Sequence, residues 1–392
     1  MADIFRARGE AYRRSHALTS EQTKAMLAIE QCRTSSLGGH VDACESCNFH
    51  AVSYNSCRNR HCPKCQGLAQ ARWIEDRKAR ILPTSYYHVV LTLPCALRPL
   101  ARQTPSAIYA LLFLAASRSL QELGLDPKYL GAQIGFTAVL HTWTRKLEFH
   151  PHLHCIVTAG GLAATADRWV PPRGADRFLF PVKVLSRLFR GIFLDRLTNL
   201  FEAGTLPFRP DDPTQRACFQ SLTRCLFAQE WVAYAKRPFA GAEHVYQYLG
   251  RYTHRVGISN HRLRAIDADT VTFGTKDGKD LALPHDEFIR RFLLHVLPHR
   301  FVKIRHYGLM ASSNATTKLE AARALLLRES GAVPAPPAAP ISTTWDQLLL
   351  RLTGVDPLLC PRCGARLVRH DLRDFTTRPH PRFITSPQAP EP

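Results

Sequence analysis

No continuous apolar run of roughly 18 residues, the length a helix needs to cross a bilayer, occurs in this 392-residue chain. The opening stretch, Met1 to Arg14, is polar and basic and lacks the apolar centre of a secretion signal, so a cytoplasmic protein is expected. A lipidation signal, a cationic amphipathic terminus and an internal repeat are also missing, which leaves a membrane surface a weak candidate partner. The phosphate-binding pattern G-x-x-x-x-G-K-[ST] is absent too. Carboxylates are scarce: 32 Asp and Glu stand against 52 Lys and Arg, for a formal net charge of +20 and a pI near 9.8. Of the basic residues, 41 are arginine, whose planar fork suits bidentate phosphate contacts and stacking on unpaired bases. Arginine-rich codon usage raises such a count as well, but a polyanion is the first partner to consider.

Cysteine is plentiful. In a chain expected to stay in a reducing compartment, clustered cysteines bind metal rather than pair as disulfides. Cys44-x-x-Cys47 and Cys62-x-x-Cys65, separated by 14 residues, predict a structural zinc site of four thiolates. Cys32, His40, Cys57 and His61 remain in the same short segment as the ligand set of a second, interleaved zinc site, since Cys57-x-x-x-His61 is itself ligand spacing. Far downstream, Cys360-Pro361-Arg362-Cys363 is half of a zinc ribbon without a second C-x-x-C to complete it, and His370 and His380 are its available partners.

The segment Phe149-His150-Pro151-His152-Leu153-His154-Cys155-Ile156-Val157 carries histidine at every second position. Along a β-strand, His152 and His154 point to one face, about 7 Å apart, with Leu153 turned into the core. Two imidazoles so placed can hold one divalent ion; the competing reading is a histidine-rich edge strand. If residues 135–143 and 150–158 form an antiparallel hairpin, His141 lies beside the two and is the candidate third ligand, with His150, Glu148, Gln247 and His244 as rivals. Tyr248 and Tyr252 stand four apart, so a helix would present both phenols on one face, flanked by Arg251 and Arg255. Such a helix suits attack on a phosphodiester, with tyrosinate as nucleophile and arginines offsetting phosphate charge; the duller reading is an amphipathic packing stripe.

Periodicity predicts helical character over residues 1–30, 68–81, 105–124 (with Gly124 as C-cap), a helix after Pro181, and helices at 288–297 and 345–352. Strands are predicted at 86–93, 135–143, 150–158, 231–235, 256–259 and 270–273. Domain boundaries follow: an N-terminal helix and zinc-binding domain over 1–80, a domain that carries the histidine and tyrosine pairs, with inserted helices, over 81–330, a Pro/Ala-rich linker over 331–343, and a C-terminal helix, C-x-x-C knuckle and disordered tail over 344–392.

Taken together, these residues resemble the HUH endonucleases, which cut single-stranded DNA with a tyrosine, and within them the transposases of the IS ninety-one insertion-sequence family. The matching stretches are Cys32 to Thr34, Tyr54 to Gln66, Tyr87 to Pro94, His150 to Val157, Trp231 to Pro238 and Tyr248 to Leu263, within roughly residues 30–310. The resemblance implies an α+β fold: a ferredoxin-like HUH core with an antiparallel sheet, an N-terminal zinc-binding module and a small C-terminal extension. It implies rolling-circle transposition of single-stranded DNA through 5′-phosphotyrosine intermediates, with structural Zn2+ and catalytic Mg2+ or Mn2+. His152 and His154 carry over as metal ligands and Tyr248 and Tyr252 as nucleophiles. Two other readings are a plasmid replication initiator or relaxase of the same class, and a non-catalytic zinc-finger DNA-binding regulator. The regulator would leave the histidine and tyrosine pairs without a role.

Overall fold

The computed structural model describes residues 1–78, 80–173, 179–239, 257–275, 278–330 and 344–372. Two helices, α1 (Ala2–Ser15) and α2 (Ser20–Gln31), open the chain and pack on each other. Helix α2 starts at a capping box: the Thr19 hydroxyl accepts from the Gln22 amide, and the Gln22 side chain accepts from the Thr19 amide. A hairpin of β1 (Gly39–Ala43) and β2 (His50–Tyr54) follows, then helix α3 (Gln66–Lys78).

The centre of the molecule is built next, from β3 (Tyr86–Thr92), α4 (Arg98–Gln103), α5 (Pro105–Leu125), β4 (Gly135–Trp143) and β5 (Phe149–Thr158). A small two-stranded sheet, β6 (Gly161–Leu162) and β7 (Trp169–Val170), precedes α6 (Val182–Glu202), α7 (Pro213–Ala228) and β8 (Ala233–Phe239). The four large strands pair antiparallel in the spatial order β4-β5-β3-β8. That is strand-helix-strand-strand-helix-strand with the fourth strand beside the first, the ferredoxin-like arrangement. Alternation sorts the faces. Tyr87, Val89, Leu91, Phe136, Ala138, Leu140, Leu153, Cys155 and Val157 point into one large apolar core beneath α5, α6 and α7. The opposite face carries His88, His141, His152 and His154. Helix α5 runs one residue past Gly124, which packs against Ile134 instead of capping.

A second three-stranded sheet, β9 (Leu263–Ile266), β10 (Thr270–Gly274) and β11 (Asp280–Pro284), leads into α8 (His285–Leu293). Its core is shared with the N-terminus: Ile4, Phe5, Met26 and Ile29 pack with Phe273, Phe288 and Phe292. The predicted strand at 256–259 is not formed over its described residues, because Gly257 packs between His295 and Leu147 with no neighbouring strand. Strand β12 (Ile304–Gly308) then joins the central sheet beside β4, and α9 (Lys318–Glu329) covers the Ile156 end of the histidine face. Helix α10 (Trp345–Thr353) packs on α3, and β13 (Val368–Asp371) pairs with β1 in the N-terminal sheet. Among the described residues, no helix is long and apolar enough to cross a membrane.

Candidate metal centres

The hairpin β4–β5 sets His141 directly opposite His152, and Val139 opposite His154. Its turn is locked by Thr144, whose hydroxyl oxygen accepts from the Lys146 and Glu148 amides, and by Leu147 at φ 59°. The ligand nitrogens of His141, His152 and His154 lie within 4.8 Å of one another. The Nε2 atoms of His152 and His154 converge to 3.0 Å. His152 Nδ1 sits 2.7 Å from the His150 carbonyl oxygen, which accepts only, so Nδ1 carries the proton and donates while Nε2 keeps a free lone pair. Burial lowers the pKa of His152 to about 4, which keeps the ring in the neutral form a metal requires. His141 is buried and stacks on Trp143 at 4.5 Å.

One residue of this centre escaped the sequence reading. His88 on β3 is buried, and its Nε2 lies 2.8 Å from His154 Nδ1, on the far side of that ring from His152. The strand alternation of Tyr86 to Thr92 already places His88 on one face; only the pairing of β3 with β5 says which. The rivals for third ligand point elsewhere. His150 Nδ1 accepts from Arg98 at 2.7 Å, and the Glu148 carboxylate accepts from Thr144. Gln247, His244, both tyrosines Tyr248 and Tyr252, and Arg251 and Arg255 lie outside the described residues.

The cysteines assemble differently from their spacing. One cluster is Cys32, Cys57, Cys62 and Cys65; the other is Cys44, Cys47, Cys360 and Cys363. Neither expected set forms: Cys44 and Cys47 do not meet Cys62 and Cys65, and Cys32 and Cys57 do not close with His40 and His61. The reason is the hairpin. Cys44 and Cys47 sit at its turn, whereas Cys32 and Cys57 flank its open end, and strands of five residues separate the two ends by about 17 Å. His40 faces Asp42 at 3.7 Å, and His61 Nε2 accepts from the Leu297 amide at 3.4 Å. His370, one expected partner of the C-terminal knuckle, is instead a β13 residue paired with Val41; His380 lies outside the described residues.

In the first cluster the sulfurs of Cys32 and Cys65 are 3.4 Å apart, and those of Cys57 and Cys65 and of Cys62 and Cys32 are 3.6 Å apart. These distances are far longer than a disulfide bond and close to the roughly 3.8 Å between sulfurs of a tetrahedral zinc site. Burial pushes the Cys57 thiol up to about 12, a penalty on the thiolate that a divalent cation removes.

Comparison with known proteins accords with zinc binding in the N-terminal segment. Residues 135–317 match the family model described as "Putative transposase", and residues 4–93 match "Transposase zinc-binding domain". The chain is 45% identical over 389 residues to "Putative transposase y4qJ" of Sinorhizobium fredii, covering 97% of this chain and 96% of that protein. It is 29% identical over 361 residues to "Transposase for insertion sequence element IS801" of Pseudomonas savastanoi pv. phaseolicola, covering 89% of this chain and 82% of that protein. No solved structure matches it. With both family models matched in order and 45% identity to a putative transposase over nearly the whole chain, the chain belongs to the IS ninety-one family of insertion-sequence transposases, zinc-binding proteins whose partner is DNA.

Proposed function

We propose that this transposase cuts and rejoins single-stranded DNA by rolling-circle chemistry, with His141, His152 and His154 as the catalytic metal site and Tyr248 and Tyr252 as nucleophiles. The observation that carries the reading is the convergence of three imidazoles on one rigid sheet face, two of them with Nε2 atoms 3.0 Å apart. Magnesium or manganese is the expected ion; when bound it supplies Lewis-acid polarisation of the scissile phosphate and a template for its oxygens. The chain's own residues do the rest. His88 and the His150 carbonyl orient the rings of His154 and His152.

A tyrosine oxygen attacks phosphorus after losing its proton. The new Tyr–O–P bond forms as the P–O3′ bond breaks, and the departing 3′ oxygen takes up a proton to leave as a hydroxyl. The 5′-phosphotyrosine keeps the phosphodiester energy, in accord with a sequence that has no nucleotide-phosphate loop. Arg251 and Arg255 offset the charge gathered on the phosphate. Two phenols allow two strands to be held at once.

The zinc of the N-terminal module is assigned to Cys32, Cys57, Cys62 and Cys65, and the module, residues 1–80, to positioning DNA for the nuclease at 81–330. Incubating the protein with single-stranded oligonucleotides from the element's ends, in magnesium or manganese, tests the reading. A nicked product and a covalent protein–DNA adduct are expected, both lost in Tyr248→Phe/Tyr252→Phe. Binding without any cleavage would favour a DNA-binding regulator instead.

A further inference from the structure

Neither matched family domain reaches Cys360 or Cys363, yet both cysteines are seated on Cys44 and Cys47. The sulfurs of Cys44 and Cys363 are 3.5 Å apart and those of Cys47 and Cys360 are 3.6 Å apart. The two C-x-x-C segments also share one backbone design. The Cys44 amide donates to the Phe49 carbonyl and the Asn48 amide to the Cys44 carbonyl. In the same way, the Cys360 amide donates to the Ala365 carbonyl and the Gly364 amide to the Cys360 carbonyl. Asn48 and Gly364 both take the left-handed conformation that closes such a loop, at φ 56° and 77°. The first sulfur of each knuckle faces the next amides along the loop, Ser46 and Cys47 on Cys44, Arg362 and Cys363 on Cys360. Two equivalent loops with sulfurs turned toward each other are the halves of one tetrathiolate site.

From this geometry we infer that a second zinc ion, bound by Cys44, Cys47, Cys360 and Cys363, clasps the C-terminal segment to the N-terminal zinc-binding domain. The contacts around the clasp give direction more than adhesion. The apolar cluster there consists, among the described residues, of Val41 and Ala43 with Leu372 against them, and Leu348 of α10, near the knuckle in sequence, is buried as well. Arg369 forms a bidentate ion pair with Asp42 at 2.7 and 3.1 Å, Arg351 reaches Glu75 at 3.5 Å, and Arg362 lies over the Phe49 ring. Exposed ion pairs of this kind each contribute at most about 1 kcal/mol, and so small an apolar patch adds little. The cysteines supply the stronger tie: one metal ion would join segments whose described contacts with each other are few. The proposal concerns the cysteines alone and stands apart from the nuclease reading, whose readout is strand cleavage.

The test uses the full chain with a specific protease site placed between residues 331 and 343. After cleavage in the presence of zinc, the C-terminal fragment should co-elute with the remainder; a strong chelator should release it, and zinc should restore the complex. In a second measurement, Cys360→Ser/Cys363→Ser should lose about one zinc equivalent per chain, and on cobalt substitution its thiolate charge-transfer absorption should fall to about half. Since only the C-terminal knuckle is altered, and neither of its cysteines belongs to the first cluster, that cluster should retain its metal. Co-elution that persists in chelator, or zinc content unchanged in the double variant, would overturn the clasp.

Discussion

The histidine centre and the two cysteine clusters gather similar donors on opposite terms. His141, His152 and His154 belong to adjacent strands joined by the turn at 144–148, and the sheet beneath them rests on a core that includes Leu140, Leu153 and Phe136. Their geometry is set by the strand register and the core beneath it. The cysteines sit on short loops beside a half-exposed hairpin, and Cys44 and Cys363 are 319 positions apart in the chain. Their geometry is set between separate loops, which a shared ion would tie together. On the proposed assignments, the histidine site should load and release a cation without loss of fold, whereas zinc at the cysteine clusters should be part of the fold itself.

The comparison is broken most severely at the first cysteine cluster. Cys62→Ser removes a ligand from a buried site against which Met1 and Phe5 pack, and the N-terminal module should unfold. A structural zinc site is worth on the order of 10 kcal/mol, so loss of zinc together with rapid proteolysis within residues 1–80 is the expected result. Retained zinc and full protease resistance would show that the cluster is not a ligand set. On the sheet the expected order of effects reverses: the residue between the histidines matters to stability more than they do. Leu153 is fully buried, and Leu153→Ala should lower the unfolding free energy by about 2–5 kcal/mol in denaturant titrations.

A third prediction concerns acid. His295 is buried with Nε2 donating to the Leu147 carbonyl and Nδ1 accepting from Thr142, a neutral tautomer, and burial lowers its pKa from 6.5 to about 4. Between those values the unfolded chain binds a proton that the folded chain excludes. Stability from this group is thus complete above about pH 6.5 and falls as the pH drops toward 4, by on the order of 3 kcal/mol. Denaturation at pH 7 and pH 4.5 should show a shallower loss in His295→Gln than in the wild type; equal slopes would place the acid sensitivity elsewhere. The smallest effect is expected at His88, which lies against His154 outside the three-histidine cluster and on the proposed reading positions that ring. His88→Ala should weaken manganese binding by about 10–100-fold, with His88→Gln recovering most of it through the retained hydrogen bond. Equal affinities in both variants would reduce His88 to a packing role.

What the sequence revealed follows the same division. Strands β3, β4 and β5 were legible because alternation is strong and local, and His141 followed from the hairpin register that joins it to His152. Helix α7 escaped because only Phe219 and Leu226 of its sixteen residues are buried, too thin a stripe to read. The cysteine partners escaped for another reason. Spacing suggested that the two nearest C-x-x-C pairs share an ion, but the strands of a hairpin hold them apart, and the missing half of one site lies near the other end of the chain. Sequence proximity predicts ligand sets within one supersecondary unit; between units, only the three-dimensional pairing decides.

The most direct test of the account separates the two kinds of centre in one preparation. His152→Ala and His154→Ala should each abolish nicking and adduct formation on single-stranded DNA, a loss on the order of 1,000-fold or more, while thiolate-bound zinc and the unfolding midpoint stay near those of the wild type. Full cleavage by either variant in magnesium would contradict the assignment of the histidine centre.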